Sequence, residues 1–93
     1  MGPTMELYAR LDALLTLAGE IGVEVRREPM GGESGGVCVM RGRRVLFVDT
    51  AADLETRYEK TLAGLARLPE LQNRFLPPEV RDDLDRVIRE AGA

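Results

Sequence analysis

The side chains able to do chemistry in this 93-residue chain are few: one cysteine (Cys38), a pair of aspartates four residues apart (Asp49 and Asp53), and twelve arginines. There is no histidine. That removes the commonest general base and metal ligand, and with it every Ser–His or Cys–His nucleophile pair. One cysteine without histidine cannot build a structural zinc site. A site for magnesium or calcium would need clustered carboxylates, whereas the acidic residues here are spread over helix surfaces near arginines and read as solvated faces. Cys38 alternates with Val37 and Val39 in an apolar run, so the expectation is a small buried core residue. A reactive thiol would need partial exposure and nearby positive charge. Asp49 and Asp53 could in principle form a carboxylate pair, but they read more simply as a strand end and a helix cap. No catalytic residue, metal or cofactor is expected.

Two features are open to a binding role. Residues Gly31-Gly32-Glu33-Ser34-Gly35-Gly36 hold four glycines in six positions. The stretch lacks the lysine and hydroxyl of a Walker loop and the spacing of a dinucleotide fingerprint, joins two strands, and carries Glu33, which would repel an anion. It reads as a mobile connector. Five arginines (Arg26, Arg27, Arg41, Arg43, Arg44) give residues 21–48 a charge of +5 against −3 from Glu24, Glu28 and Glu33. The segment from Pro77 onward carries −5 against +3. Arg26, Arg41, Arg43 and Arg44 are therefore candidates for an anion site. RNA would also need aromatic stacking platforms; Phe and Tyr number two each, so nucleic acid is an unlikely partner. The plainer reading is a hairpin edge blunted by charge against aggregation.

The elements that would position these residues centre on Val37–Met40 and Val45–Val48, two apolar runs flanking Arg41-Gly42-Arg43-Arg44. This is a β-hairpin signal. With Gly42-Arg43 as a type II′ turn, Arg41 would oppose Arg44, Met40 Val45, Val39 Leu46, Cys38 Phe47 and Val37 Val48. One face would carry Val37, Val39, Leu46 and Val48, and the other Cys38, Met40, Val45 and Phe47. Both are apolar, which a hairpin with one wet side would not be. Each set is a candidate interface. Ninety-three residues leave little material to cover both faces, so a homodimer is the natural expectation.

Before the hairpin, residues 4–21 read as a helix with Leu7, Leu11, Leu14, Leu15 and Ala18 on one face, Thr4 as N-cap and a Glu6–Arg10 pair. Gly22 is placed to stop it. Residues 22–27 alternate as a strand with Val23 and Val25 inward, ended by Pro29. After the hairpin, Thr50 and Asp53 stand in capping-box spacing before a second helix with Leu54, Tyr58, Thr61, Leu62, Leu65 and Leu68 in its stripe, ended by Pro69. Leu71, Phe75 and Leu76 must pack within a connection. Pro77-Pro78 opens a third helix with Val80, Leu84, Val87, Ile88 and Ala91 inward and Arg81–Asp85, Asp82–Arg86 and Asp85–Arg89 as possible pairs. The expected fold is a single α+β domain over residues 1–93, in the order α-β-β-β-α-α with a three-stranded antiparallel sheet.

An apolar fraction of 44% and a net charge of −3 suit an ordinary globular chain without general attraction to nucleic acid or anionic lipid. A single cysteine rules out an intrachain disulfide, no apolar run approaches a membrane span, and the first six residues lack a secretory pattern. Cytoplasmic location without membrane contact is the expectation.

Three segments together resemble a group of short bacterial proteins of uncharacterised function: Gly22-Val-Glu-Val-Arg-Arg27, Gly35-Gly-Val-Cys-Val-Met-Arg-Gly42 with Asp49 at the hairpin end, and Leu76-Pro-Pro-Glu-Val-Arg81. No activity comes with that resemblance. The element order is also distantly similar to the core of zincin-like peptidases, whose helix after the hairpin carries His-Glu-x-x-His. Here that helix reads Glu59-Lys-Thr-Leu-Ala-Gly-Leu65, so the likeness implies a fold and no metal chemistry. The functional expectation is a non-catalytic, self-associating domain acting through protein–protein contact. The alternative is a small-molecule or anion-binding module built on the arginine-rich hairpin and the glycine loop.

Overall fold

The computed structural model describes residues 5–92. The first helix, α1 (Leu7–Glu20), buries Leu11, Leu14, Leu15, Leu17 and Ala18 and leaves Leu7 half-buried. Thr4, the expected cap, lies outside the described residues; Glu6 stands at the N-cap without a side-chain capping bond. The Glu6–Arg10 pair is not formed. Arg10 instead reaches Asp83 at 3.0 Å, a partner that only the folded chain brings near. Gly22, at φ +85°, turns the chain out of α1 into the sheet.

Three strands follow: β1 (Glu24–Glu28), β2 (Gly36–Met40) and β3 (Arg43–Asp49). Their order across the sheet is β1-β3-β2. β2 pairs antiparallel with β3, but β1 pairs with β3 in parallel, so the sheet is mixed where a purely antiparallel one was expected. The reason lies in the connection after β1. It carries the chain across the end of β3 to the far edge, where β2 starts, instead of folding back beside β1.

The hairpin register also differs. Met40 opposes Arg43, Val39 Arg44, Cys38 Val45 and Val37 Leu46. The two turn residues are Arg41 and Gly42, with φ of 53° and 79°. Two successive positive φ angles make a type I′ turn, whose twist matches the strands. The shift is two residues, and side chains alternate with period two, so each keeps its expected face. Leu46, Val48 and Val37 join Val25 against the helices. Cys38, Met40, Val45 and Phe47 share the opposite face.

Asp53, not Thr50, caps α2 (Leu54–Leu65), accepting the Thr56 backbone N–H at 2.8 Å. Tyr58, Thr61, Leu62, Gly64 and Leu65 are its buried residues. A one-turn helix, α3 (Pro69–Gln72), buries Leu71, and Leu76 is buried just beyond it. Phe75, expected to pack, is 88% exposed. In α4 (Pro78–Gly92), Val80 and Leu84 are buried. None of its three expected i,i+4 pairs forms; Arg86 bridges to Glu59 on α2 at 2.8 Å and to Glu90 at 3.3 Å. α1 packs on β1 and α2 on β2 and β3, while α4 lies against α1 and α2. The core is thus one sheet face, two helices across it and a third helix behind them.

Candidate functional site

At the end of β3, the Asp49 carboxylate is 1% exposed and accepts four backbone N–H groups. Met30 and Ala51 donate to Oδ1 at 2.8 and 2.9 Å, and Gly32 and Ser34 to Oδ2 at 2.6 and 3.2 Å. Burial alone would push its pKa up. The four donors outweigh that and hold it below the ordinary carboxylate value. Its role as a strand end stands, but the glycine segment expected to be mobile is tied to it. The loop's donors point inward at a carboxylate the chain supplies itself.

The arginines proposed for an anion site are not gathered. Arg26 lies on the face with Cys38 and is bonded to Glu24. Arg44 lies on the helix-facing side of β3, where it donates to the Ile21 carbonyl at 3.0 Å and pairs with Glu70 at 2.6 Å. That hydrogen bond raises the Arg44 pKa and lowers that of Glu70. Arg44 thus joins the end of α1 to α3 through β3. Arg41 and Arg43 remain exposed at the hairpin end, without a carboxylate partner among the described residues.

The interface candidates divide by face. Leu46 and Val48 are buried under α1 and α2, and Val37 is half-buried beside Gly64 of α2. Val39 shares their parity but lies 69% exposed, past the cover of α2. Among the described residues, the other face contributes nothing to the helix-packed core. Cys38 is exposed, correcting the expectation of a core thiol, because the helices chose the opposite side. Met40 is 43% exposed, Phe47 is half-buried, and Val45 is 2% exposed although outside the helix-packed core. Val45 sits between its register partners Glu24 and Cys38, with the Glu24–Arg26 pair along one side. Among the described residues β2 pairs with β3 alone, so no strand lies along its outer edge.

Comparison with protein-family models, with curated proteins and with solved structures finds no match.

One network was not foreseen in the sequence. The Tyr58 hydroxyl donates to Asp83 Oδ2 at 2.6 Å, and Arg10 Nη1 donates to the same oxygen at 3.0 Å. Arg10 Nε donates to the Met5 carbonyl at 2.9 Å, and the Met5 N–H donates to Glu79 at 3.0 Å. Burial first, and the bond to Asp83 second, raise the Tyr58 pKa well above the ordinary phenol value. The network links α1, α2 and α4 and is structural. A tyrosine at helical spacing reads as core, and only its distant partner shows that the hydroxyl is used. Among the described residues no three carboxylate or thiol groups gather to hold a metal ion, and no helix is long and apolar enough to cross a membrane.

Proposed function

We propose that this chain is a non-catalytic module that works by association, and that it binds a second copy of itself through the sheet face on which Cys38, Met40 and Phe47 are accessible. The observation that carries this reading is the one-sided cover of the sheet: the helix-packed core takes in Val25, Val37, Leu46 and Val48, and none of Cys38, Met40, Val45 and Phe47. Register supports a copy as occupant. A half-turn about an axis crossing the strands at Val25, Leu46 and Val37 lays Glu24 over the partner subunit's Arg26, and Arg26 over the partner subunit's Glu24. The face therefore complements itself in charge. Its extent is roughly 14 by 17 Å, from strand spacing and rise. That is well under the ~800 Å² each partner gives to a standard interface, so the association belongs to the weak class. The alternative, anion binding by the hairpin arginines with the glycine loop, has less support because Arg26, Arg44 and the loop are already engaged.

Sedimentation velocity from about 20 µM to about 1 mM tests the reading. A weight-average mass that rises with concentration in the parent chain, and stays monomeric in Met40→Glu at unchanged Tm, supports it. A short bismaleimide should then join Cys38 to its copy in the parent chain. A monomer across the whole range removes the proposal.

A further inference from the structure

At the end of the molecule away from the hairpin lies a cleft of about 180 Å³ that association through the sheet face leaves unused. The parallel strands β1 and β3 both finish here, and α1 and α2 both begin here. Clefts at the carboxyl ends of parallel strands are common ligand sites in open sheets, and helix N-termini lend them positive potential. The apolar lining is Leu11, Leu15 and Val48. Tyr8, 68% exposed, adds an aromatic ring.

Two guanidiniums line the same cleft, those of Arg27 and Arg57, and neither pairs with a carboxylate among the described residues. Arg57 is held in place: Nε donates to the Ala52 carbonyl at 2.9 Å and Nη2 to the Thr50 carbonyl at 3.0 Å. Carbonyls fix the fork without neutralising it, and a guanidinium has five N–H groups to give. The remaining donors are free for an incoming oxyanion, and a fixed fork loses little freedom on binding. Among the described residues Asp12 is the one carboxylate in the lining, and Asp53 lies near enough to Arg57 for the guanidinium to help lower its pKa. Within the lining itself two guanidiniums face one carboxylate.

The geometry points to a binding site for a small organic anion, a carboxylate or a phosphate monoester, with an apolar body of about one ring. The oxyanion meets Arg27 and Arg57, and the body rests on Leu11, Leu15 and Val48 beside Tyr8. The volume is below the ~300 Å³ at which drug-sized pockets begin, so one ring is the limit. Ligands of that size bind with Kd on the order of a millimolar. Asp12 opposes the anion and sets the affinity below what the two arginines alone would give.

Amide and arginine Nε resonances of the ¹⁵N-labelled chain, titrated separately with benzoate, phenyl phosphate, inorganic phosphate and neutral benzamide, test this. Saturable shifts at Tyr8, Asp12, Arg27 and Arg57 with benzoate or phenyl phosphate are expected, and the tighter of the two identifies the oxyanion. Arg27→Gln should weaken binding about tenfold, and Asp12→Asn should tighten it severalfold. Both residues are exposed and unbonded, so neither change should move the Tm. The proposal is overturned if no anion gives a saturable shift up to about 20 mM, if benzamide binds equally well, or if both variants leave Kd unchanged. Inorganic phosphate binding as tightly as phenyl phosphate would overturn the role of the apolar floor.

Discussion

Gly32 gives its backbone N–H to Asp49 Oδ2 at 2.6 Å across seventeen positions of chain. That bond, with those from Met30 and Ser34, holds the crossing that lets β1 and β2 flank β3. Asp49→Ala would remove the acceptor shared by four part-buried backbone donors, and losing several such bonds at once is expensive. The Tm should fall by roughly 10 °C or more at neutral pH. The folded pKa of Asp49 is depressed, so its contribution is fully present above about pH 4 and is lost as pH falls through the folded value. Asp53 and Glu70 are depressed too. Thermal melts from pH 7 to 2.5 should therefore show a shallower acid decline in the variant, the difference being the Asp49 share.

Two glycines in helices should respond to alanine with opposite signs. Inside a helix the change ordinarily gains about 1 kcal/mol. At Gly19 nothing lies within 4 Å of the new Cβ, so a gain of about 0.5–1 kcal/mol is expected. At Gly64 the Cβ would come within 3.0 Å of Val37 Cγ2 and 3.1 Å of the Val37 backbone nitrogen. A backbone atom cannot swing aside, and overpacking costs typically 1–3 kcal/mol. Gly64→Ala should be net destabilising in urea titrations.

Val39 and Leu46 lie on the same side of the hairpin but should tolerate change very differently. Val39 is exposed, so Val39→Asp should stay within about 0.5 kcal/mol of the parent. Leu46 is fully buried, and Leu46→Ala should lose about 2–5 kcal/mol. Urea midpoints of the two variants check the contrast.

Tyr58 should resist alkaline titration. Its raised pKa means that the neutral phenol is favoured in the fold, so stability holds below about pH 10 and declines above it. Absorbance near 295 nm should show its ionisation only together with unfolding. Tyr58→Phe removes one hydrogen bond and should cost about 1 kcal/mol, leaving Arg10 on Asp83.

Helices and strand faces were legible because burial repeats along the chain. The stripes through Leu11–Ala18 and Tyr58–Leu65 follow the helical period, and Val23 and Val25 both turn to the core as their two-residue spacing requires. The hairpin faces survived a wrong turn because the slip was even. Pairing between distant segments left no such trace. Nothing local in β1 distinguishes a parallel neighbour from an antiparallel one, and Asp49 as a loop anchor looks like Asp49 as a strand end. The arginines misled for a related reason. Arg44 was grouped with Arg41 and Arg43 by adjacency, yet alternation sends it to the other side of the sheet, where Glu70 waits. The cleft lined by Tyr8, Arg27 and Arg57 draws on four elements and has no signature in any one of them.

The strand order also bears on how the chain acquires its shape as it is made. β2 reaches β3 across two residues, whereas Val25 must wait for Leu46. Closing the shorter loop is entropically easier, so the hairpin is the natural nucleus and β1 the later arrival. During synthesis α1 and β1 leave the ribosome before the strand that β1 pairs with. Residues 7–28 are thus made before the strand that β1 joins, and their apolar stripe waits for shelter until β3 has emerged.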